Sequence, residues 1–136
     1  MKIINSDIVR FYENFITNKE NGESKIFPVM MAYAIKYNSR VLMSTYRAIK
    51  EQQSEIIKKY ATKDENGNIS IDDNGNIIID ATQKELVMRE IGELLQGSVD
   101  VPLTYISIKD IERTDEEKYD GLSVADIDVL IFMIER

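Results

Sequence analysis

The chain has 136 residues, 43% hydrophobic and 30% charged, with a formal net charge of −7. That is one domain's length, with enough apolar mass for a real core and too much for wholesale disorder. It contains neither Cys nor His, so disulfides, cysteine or histidine nucleophiles, histidine general bases and the usual zinc sites are excluded.

Residues 2–4 read as a short strand. Asn5 or Ser6 then offers a helix N-cap with Asp7 in the first turn, and Ile8, Phe11, Tyr12, Phe15 and Ile16 follow at helical spacing. An amphipathic helix over 6–18 is predicted, followed by a polar loop from Thr17 to Lys25.

Pro28 suits a first helical turn, and no Gly or further Pro interrupts the chain until Ala61. Met31, Ile35, Leu42, Tyr46, Ile49, Ile56 and Tyr60 fall within an arc of roughly 80° at 100° per residue. A continuous helix here would be about 50 Å long, more than a domain this size usually covers. Either it breaks near Asn38-Ser39 or part of it projects and meets a partner.

A tandem repeat follows, Asp64-Glu65-Asn66-Gly67-Asn68-Ile69-Ser70-Ile71 and Asp72-Asp73-Asn74-Gly75-Asn76-Ile77-Ile78-Ile79. Asn-Gly between isoleucine-rich runs is a hairpin signal, predicting strands at 68–72 and 76–80 around a type I′ turn at Asn74-Gly75. A calcium loop framed from Thr62 places Asp64, Asn66, Gly67, Ile69 and Asp73 in register. It has Thr where Asp is wanted, lacks the bidentate Glu and has no second helix, so a plain hairpin is the better reading.

Thr82 and Glu85 make a capping box and Gly97 a stop, predicting a helix over 83–96. Val99, Val101, Leu103 and Tyr105 alternate, predicting a strand over 99–107 with an irregularity at Pro102. A charged loop is expected over 112–122. Ser123 and Asp126 then cap a final helix, 124–135, apolar nearly all round and therefore expected to be buried. Asp126 and Asp128, two apart, do not share a helix face and make a poor metal pair.

The charges are segregated. Residues 28–63 carry seven cations and two carboxylates, while residues 64–136 carry six cations and eighteen carboxylates. On the long helix Lys36, Arg40, Arg47, Lys50 and Lys58 share an arc of roughly 80°, centred about 130° from the apolar stripe. Such a face is either solvated or turned toward an acidic partner. Nucleic acid is a candidate ligand but is not favoured, because the acidic whole-chain charge repels phosphate. The acidic half could instead mimic DNA.

The order of a short strand and helix, then Phe27-Pro28-Val29 and Ala32-Tyr33-Ala34-Ile35 entering a long helix, forms a pattern. It continues with Lys59-Tyr60, the Asp-Glu-Asn-Gly-Asn hairpin, Ile108-x-Asp110-Ile111, and Leu122-Ser123-x-x-Asp126 opening the last helix. It resembles small proteins of unassigned function encoded by phages and prophages of low-GC Gram-positive bacteria. The resemblance implies an intracellular α+β phage protein and carries no site residue with it.

The expectation is therefore a single domain over 1–136 of α+β class. A long amphipathic helix and two or three shorter ones pack with a small antiparallel sheet from the 68–80 hairpin and the 99–107 strand. No apolar run nears the roughly 20 residues of a membrane span, and Met1-Lys2-Ile3-Ile4-Asn5 turns polar too early for a signal peptide. A cytoplasmic, non-enzymatic, self-associating interaction module without cofactor or metal is expected. Its contact residues are predicted to be Arg40, Arg47, Lys50 and Lys58, with Tyr33 and Tyr37 as flanking aromatics.

Overall fold

The fold is taken from a computed structural model, which describes residues 2–16 and 26–135. The predicted loop Thr17 to Lys25 and the last two residues of the predicted first helix lie outside them. The class is α+β, with one long helix, several shorter ones and a two-stranded antiparallel sheet.

Strand β1 (Lys2–Ile4) runs directly into helix α1 (Asn5–Phe11), and a π-helical turn, Tyr12–Ile16, continues it. Neither Asn5 nor Ser6 caps this helix as predicted. The residue before the first turn is Ile4, and no side chain caps it. Asn5 is used elsewhere: its Nδ2 donates to the Leu94 carbonyl at 2.8 Å and its backbone N–H to the Gly97 carbonyl at 2.8 Å. Both carbonyls lie at the C-terminal end of a distant helix, where Leu94 also accepts from the Gly97 N–H, so the Asn ties two termini together.

Helix α2 (Val29–Tyr60) is unbroken over 32 residues, about 48 Å at 1.5 Å per residue. Its inward stripe enters the core as the periodicity predicts, with Met31, Ile35, Leu42 and Ile49 buried. Asn38-Ser39 is no break. The Asn38 amide faces the 101–107 segment, and the Ser39 hydroxyl donates back to the Lys36 carbonyl at 3.0 Å. The core closes around Phe11, Tyr12 and Phe15, with Phe132 edge-on to Phe11 and Tyr46 stacked on Tyr12 at 4.5 Å.

The tandem repeat folds as two equivalent turns rather than one hairpin of two strands. Asp64 pairs with Asn68, and Asp72 with Asn76; Gly67 and Gly75 donate to the carbonyls of Asp64 and Asp72 at 3.0 Å. Gly67 and Gly75 have φ of +80° and +82°, and no other described residue has positive φ. These are type I turns followed by a left-handed glycine, not the predicted type I′ turn, which would need Asn66 and Asn74 left-handed as well. The Asp64 and Asp72 carboxylates each accept two N–H groups of their own turn.

Beyond each turn the strands diverge. The predicted strands 68–72 and 76–80 reduce to isolated antiparallel bridges, Lys63 with Ile69, Ile71 with Ile77 and Ala61 with Ile79. The Ser70 N–H donates to the Thr62 carbonyl, Ile78 to Ser70, and Thr62 to Ile78, closing a ring of residues eight apart. The turns are two arms of this ring. The third is the helix pair formed by α2 and α3 (Ala81–Gln96).

Ring closure fixes where α3 starts. Asp80 precedes the helix and its carbonyl accepts from Gln83 and Lys84. Thr82 therefore lies inside the first turn, and the predicted Thr82–Glu85 capping box does not form. Helix α3 returns along the second half of α2, burying Val87 while Ile56 is buried on α2 outside the main core. Lys59 meets Glu90 at 3.0 Å across the pair.

After Gly97, β2 (Ser98–Asp100) pairs antiparallel with β1. The sheet is thus made by β1 and β2, without the 68–80 turns. The predicted 99–107 strand stops at Asp100, whose ladder partner is Lys2 at the start of β1, two residues before Pro102. The chain stays extended to a parallel bridge between Ile106 and Ile134. The predicted charged loop begins inside a short helix, α4 (Ile108–Arg113), capped by Ser107.

The Ser123–Asp126 capping box is present at the start of α5 (Val124–Leu130). The chain then tightens into a 3-10 turn, Ile131–Met133. Val129, Leu130 and Met133 are buried, but Val124 is 85% and Ile131 56% exposed. The last helix is therefore shorter than predicted and not buried all round. No described helix is long and apolar enough to cross a membrane.

Candidate interaction surface

In its first three turns α2 carries apolar residues on two faces. The inner set, Met31, Ala34 and Ile35, is buried, while Val29, Met30 and Tyr33 are 79%, 64% and 56% exposed. At 100° per residue, Val29, Met30, Tyr33 and Tyr37 lie on an arc of about 100° opposite the core side. Tyr33 and Tyr37, one turn apart, stack at 6.1 Å with an interplanar angle of 23°. They line a pocket of about 330 Å³ with Ala32, Lys36 and Arg40.

Lys36 and Arg40 form no ion pair with another described residue. From Val29 to Arg47 the helix carries three cations and no carboxylate. The result is a mixed aromatic and cationic surface, the composition enriched at protein contacts.

The six predicted contact residues do not form one surface. Tyr33, Tyr37 and Arg40 come together in the pocket. Arg47 is exposed on the same arc two turns further on, its charge acting on the Tyr12 phenol. Lys50 is drawn away, pairing with Glu13 at 2.9 Å in the turn after α1.

Lys58 stands about 27 Å from Arg40 along the helix. It lies in the last turn, where a cation suits the helix dipole, beside a second pocket with Lys59, Lys63 and Gly67. The basic arc is real as a helical projection, but its members divide among three surroundings. Val29 and Met30 were missed by the reading of the main apolar stripe, although their off-stripe spacing with Tyr33 and Tyr37 was the signal.

Two further sites show shifted acidities without reacting partners. Burial pushes the Tyr12 phenol up to about 12, with Arg47 opposing the shift. Its hydroxyl donates to the Ser39 carbonyl inside the core. At the helix pair, the hydroxyl of Tyr60 and the ammonium of Lys59 hold the Glu90 carboxyl below its usual range. Glu90 in turn raises Lys59.

Among the described residues no group of three or more carboxylates is placed to hold a metal ion. The arrangement offers apolar area, aromatic faces and cations for recognition. No family model matches this chain, and no curated protein and no solved structure matches it either.

Proposed function

We propose that this chain is a non-enzymatic protein-interaction module that associates with itself through the outward face of the first half of α2. The phage origin and cytoplasmic setting implied by the resemblance belong to the same proposal. One observation carries it: a helix already anchored by a buried face holds a second apolar face, Val29, Met30, Tyr33 and Tyr37, in solvent beside Lys36 and Arg40, which pair with no other described residue. Keeping such area wet forgoes burial worth roughly 25 cal/mol per Å². Tyr and Arg are the residues that most often dominate contact energy.

Direct nucleic-acid binding has less support. A phosphate track needs cations in sequence along the surface, and Lys50 is already paired while Lys58 is remote.

Light scattering on a sizing column, at low and high salt, tests the proposal. The wild-type chain is expected to exceed the mass of one protomer, and Tyr33→Glu with Tyr37→Glu to return it to one. Both side chains are exposed, so the double variant keeps its fold, which circular dichroism checks. An unchanged mass in that variant would exclude this face as the contact.

A further inference from the structure

The outward face of α2 has a counterpart on the same chain. Ile108 and Ile111 of α4, Ile127 of α5, and Ile131 and Ile134 beyond it line a pocket of about 370 Å³ whose polar member is Glu135. Ile108 and Ile131 are 46% and 56% exposed. This groove exists because the chain leaves α-helical geometry after Leu130. The tighter turn carries Ile131 outward, while the Ile106–Ile134 bridge holds the next residues against α4.

The segment that builds it is acidic: residues 108–135 hold nine carboxylates and three cations, although Asp120, Asp126 and Asp128 are engaged with Ile26, Ser123 and Arg10. Arg113, one of the three, lies 3.8 Å from both Asp110 and Glu116. Glu112, exposed, sits one turn beyond Ile108 on the same face of α4.

We infer that the partner of the α2 face is this isoleucine groove on a second copy of the chain, so that protomers join head to tail. The inference rests on the self-association proposed above and names the surface that receives it. Three observations on one chain support it. Both surfaces are apolar at the centre and left partly exposed by the described residues. Their rims are opposite in charge, Lys36, Arg40 and Arg47 against Glu112 and Glu135. Finally, the two cannot meet within one protomer. The core side of α2 is buried, and Asn38 bonds both backbone groups of Thr104 just before the groove, which holds the two surfaces as parts of one packed body.

Opposite rims disfavour pairing of like with like, where α2 faces would bring cations together. A contact between two different patches is heterologous. Repeated, it closes into a ring or continues as a filament, so a bare two-fold dimer is not its natural end.

The test uses the full chain in three forms. One is wild type; one is blocked on the helix face (Tyr33→Glu, Arg40→Glu); one is blocked in the groove (Ile131→Asp, Glu112→Lys). All four changed side chains are exposed, and melting curves verify folding. Masses are measured for each alone and for the two blocked forms mixed at equal concentration. Head-to-tail joining predicts that each blocked form alone associates at least about tenfold more weakly than wild type. The mixture should then give a species of two chains and no larger one, because each protomer retains one working surface.

If the groove-blocked form assembles like wild type while the face-blocked form does not, the inference fails and self-association through α2 stands. If neither block changes the mass, or wild type is a single protomer throughout, both fail.

Discussion

The side chain of Asn38 and the backbone of Thr104 form a closed pair. Asn38 Nδ2 donates to the Thr104 carbonyl and the Thr104 N–H donates to Asn38 Oδ1, both at 2.8 Å. The amide behaves as one residue of a neighbouring strand, satisfying a segment that has left the sheet after Asp100. Asn38 is fully buried, and apart from a weaker contact of Nδ2 with Met133 Sδ at 3.4 Å, both of its functional groups depend on Thr104.

Asn38→Ala should destabilise the fold by about 2–4 kcal/mol, since two backbone groups lose their partners in the interior. Asn38→Asp should be at least as damaging, because it replaces the donor with a second acceptor against the Thr104 carbonyl. Urea denaturation of both variants measures this. A loss below about 1 kcal/mol for Asn38→Ala would mean that water replaces the amide.

The glycines separate into two kinds with opposite expected responses. Gly75 has φ of +82° and open space where a Cβ would stand. Gly75→Ala therefore costs only the backbone penalty, about 1 kcal/mol, and Gly67→Ala the same. Gly92, inside α3 with nothing within 4 Å of a Cβ, should respond the other way. Gly92→Ala is expected to stabilise by about 0.5–1 kcal/mol through helix propensity. Melting temperatures of the three variants check both signs.

Tyr12 sets an alkaline limit. Its folded pKa is about 12 against an ordinary 10.0, because burial disfavours the phenolate. A raised folded pKa means that its stabilising contribution is complete below pH 10 and is lost as pH climbs toward 12. Phenolate absorbance should show one tyrosine ionising last, and only as the fold gives way. Tyr12→Phe should remove that step and cost about 1 kcal/mol at neutral pH, for the lost bond to Ser39.

Lys50 and Arg40, at opposite edges of the same basic arc, should behave differently in assembly. Arg40→Glu inverts a cation that borders the Tyr33–Tyr37 pocket and should weaken self-association by roughly tenfold. Lys50→Glu breaks an exposed pair with Glu13, worth about 1 kcal/mol or less to the fold, and should leave association within about twofold. Sedimentation equilibrium of the two variants compares them directly. Equal effects would mean that the contact extends beyond the aromatic pocket toward Glu13.

Local chemistry made much of this fold legible. The long helix of α2 (though not whether it runs unbroken through Asn38-Ser39), its inward stripe, the first strand and the Ser123–Asp126 box depend on periodicity or on a few adjacent side chains. The two Asn-Gly turns were visible for the same reason, though not their type. Whether Asn74 is left-handed depends on which residues pair across the turn. Tyr33, Tyr37 and Arg40 were also found together, being neighbours on one helix face.

Only tertiary structure decided the rest, because those features join residues far apart in the chain. Asn5 reads as a cap and instead serves the end of α3 some 90 residues away. Thr82 loses its cap because ring closure through Thr62, Ser70 and Ile78 sets where α3 begins. Lys50 belongs to the basic arc by its angle, but Glu13 of the turn after α1 claims it. The isoleucine groove has no local signature, since α4 and the turn after α5 are brought side by side by a bridge between Ile106 and Ile134. Periodicity tells which face of a helix is apolar. Which apolar face is covered, and which cation is already paired, follows from what packs against it.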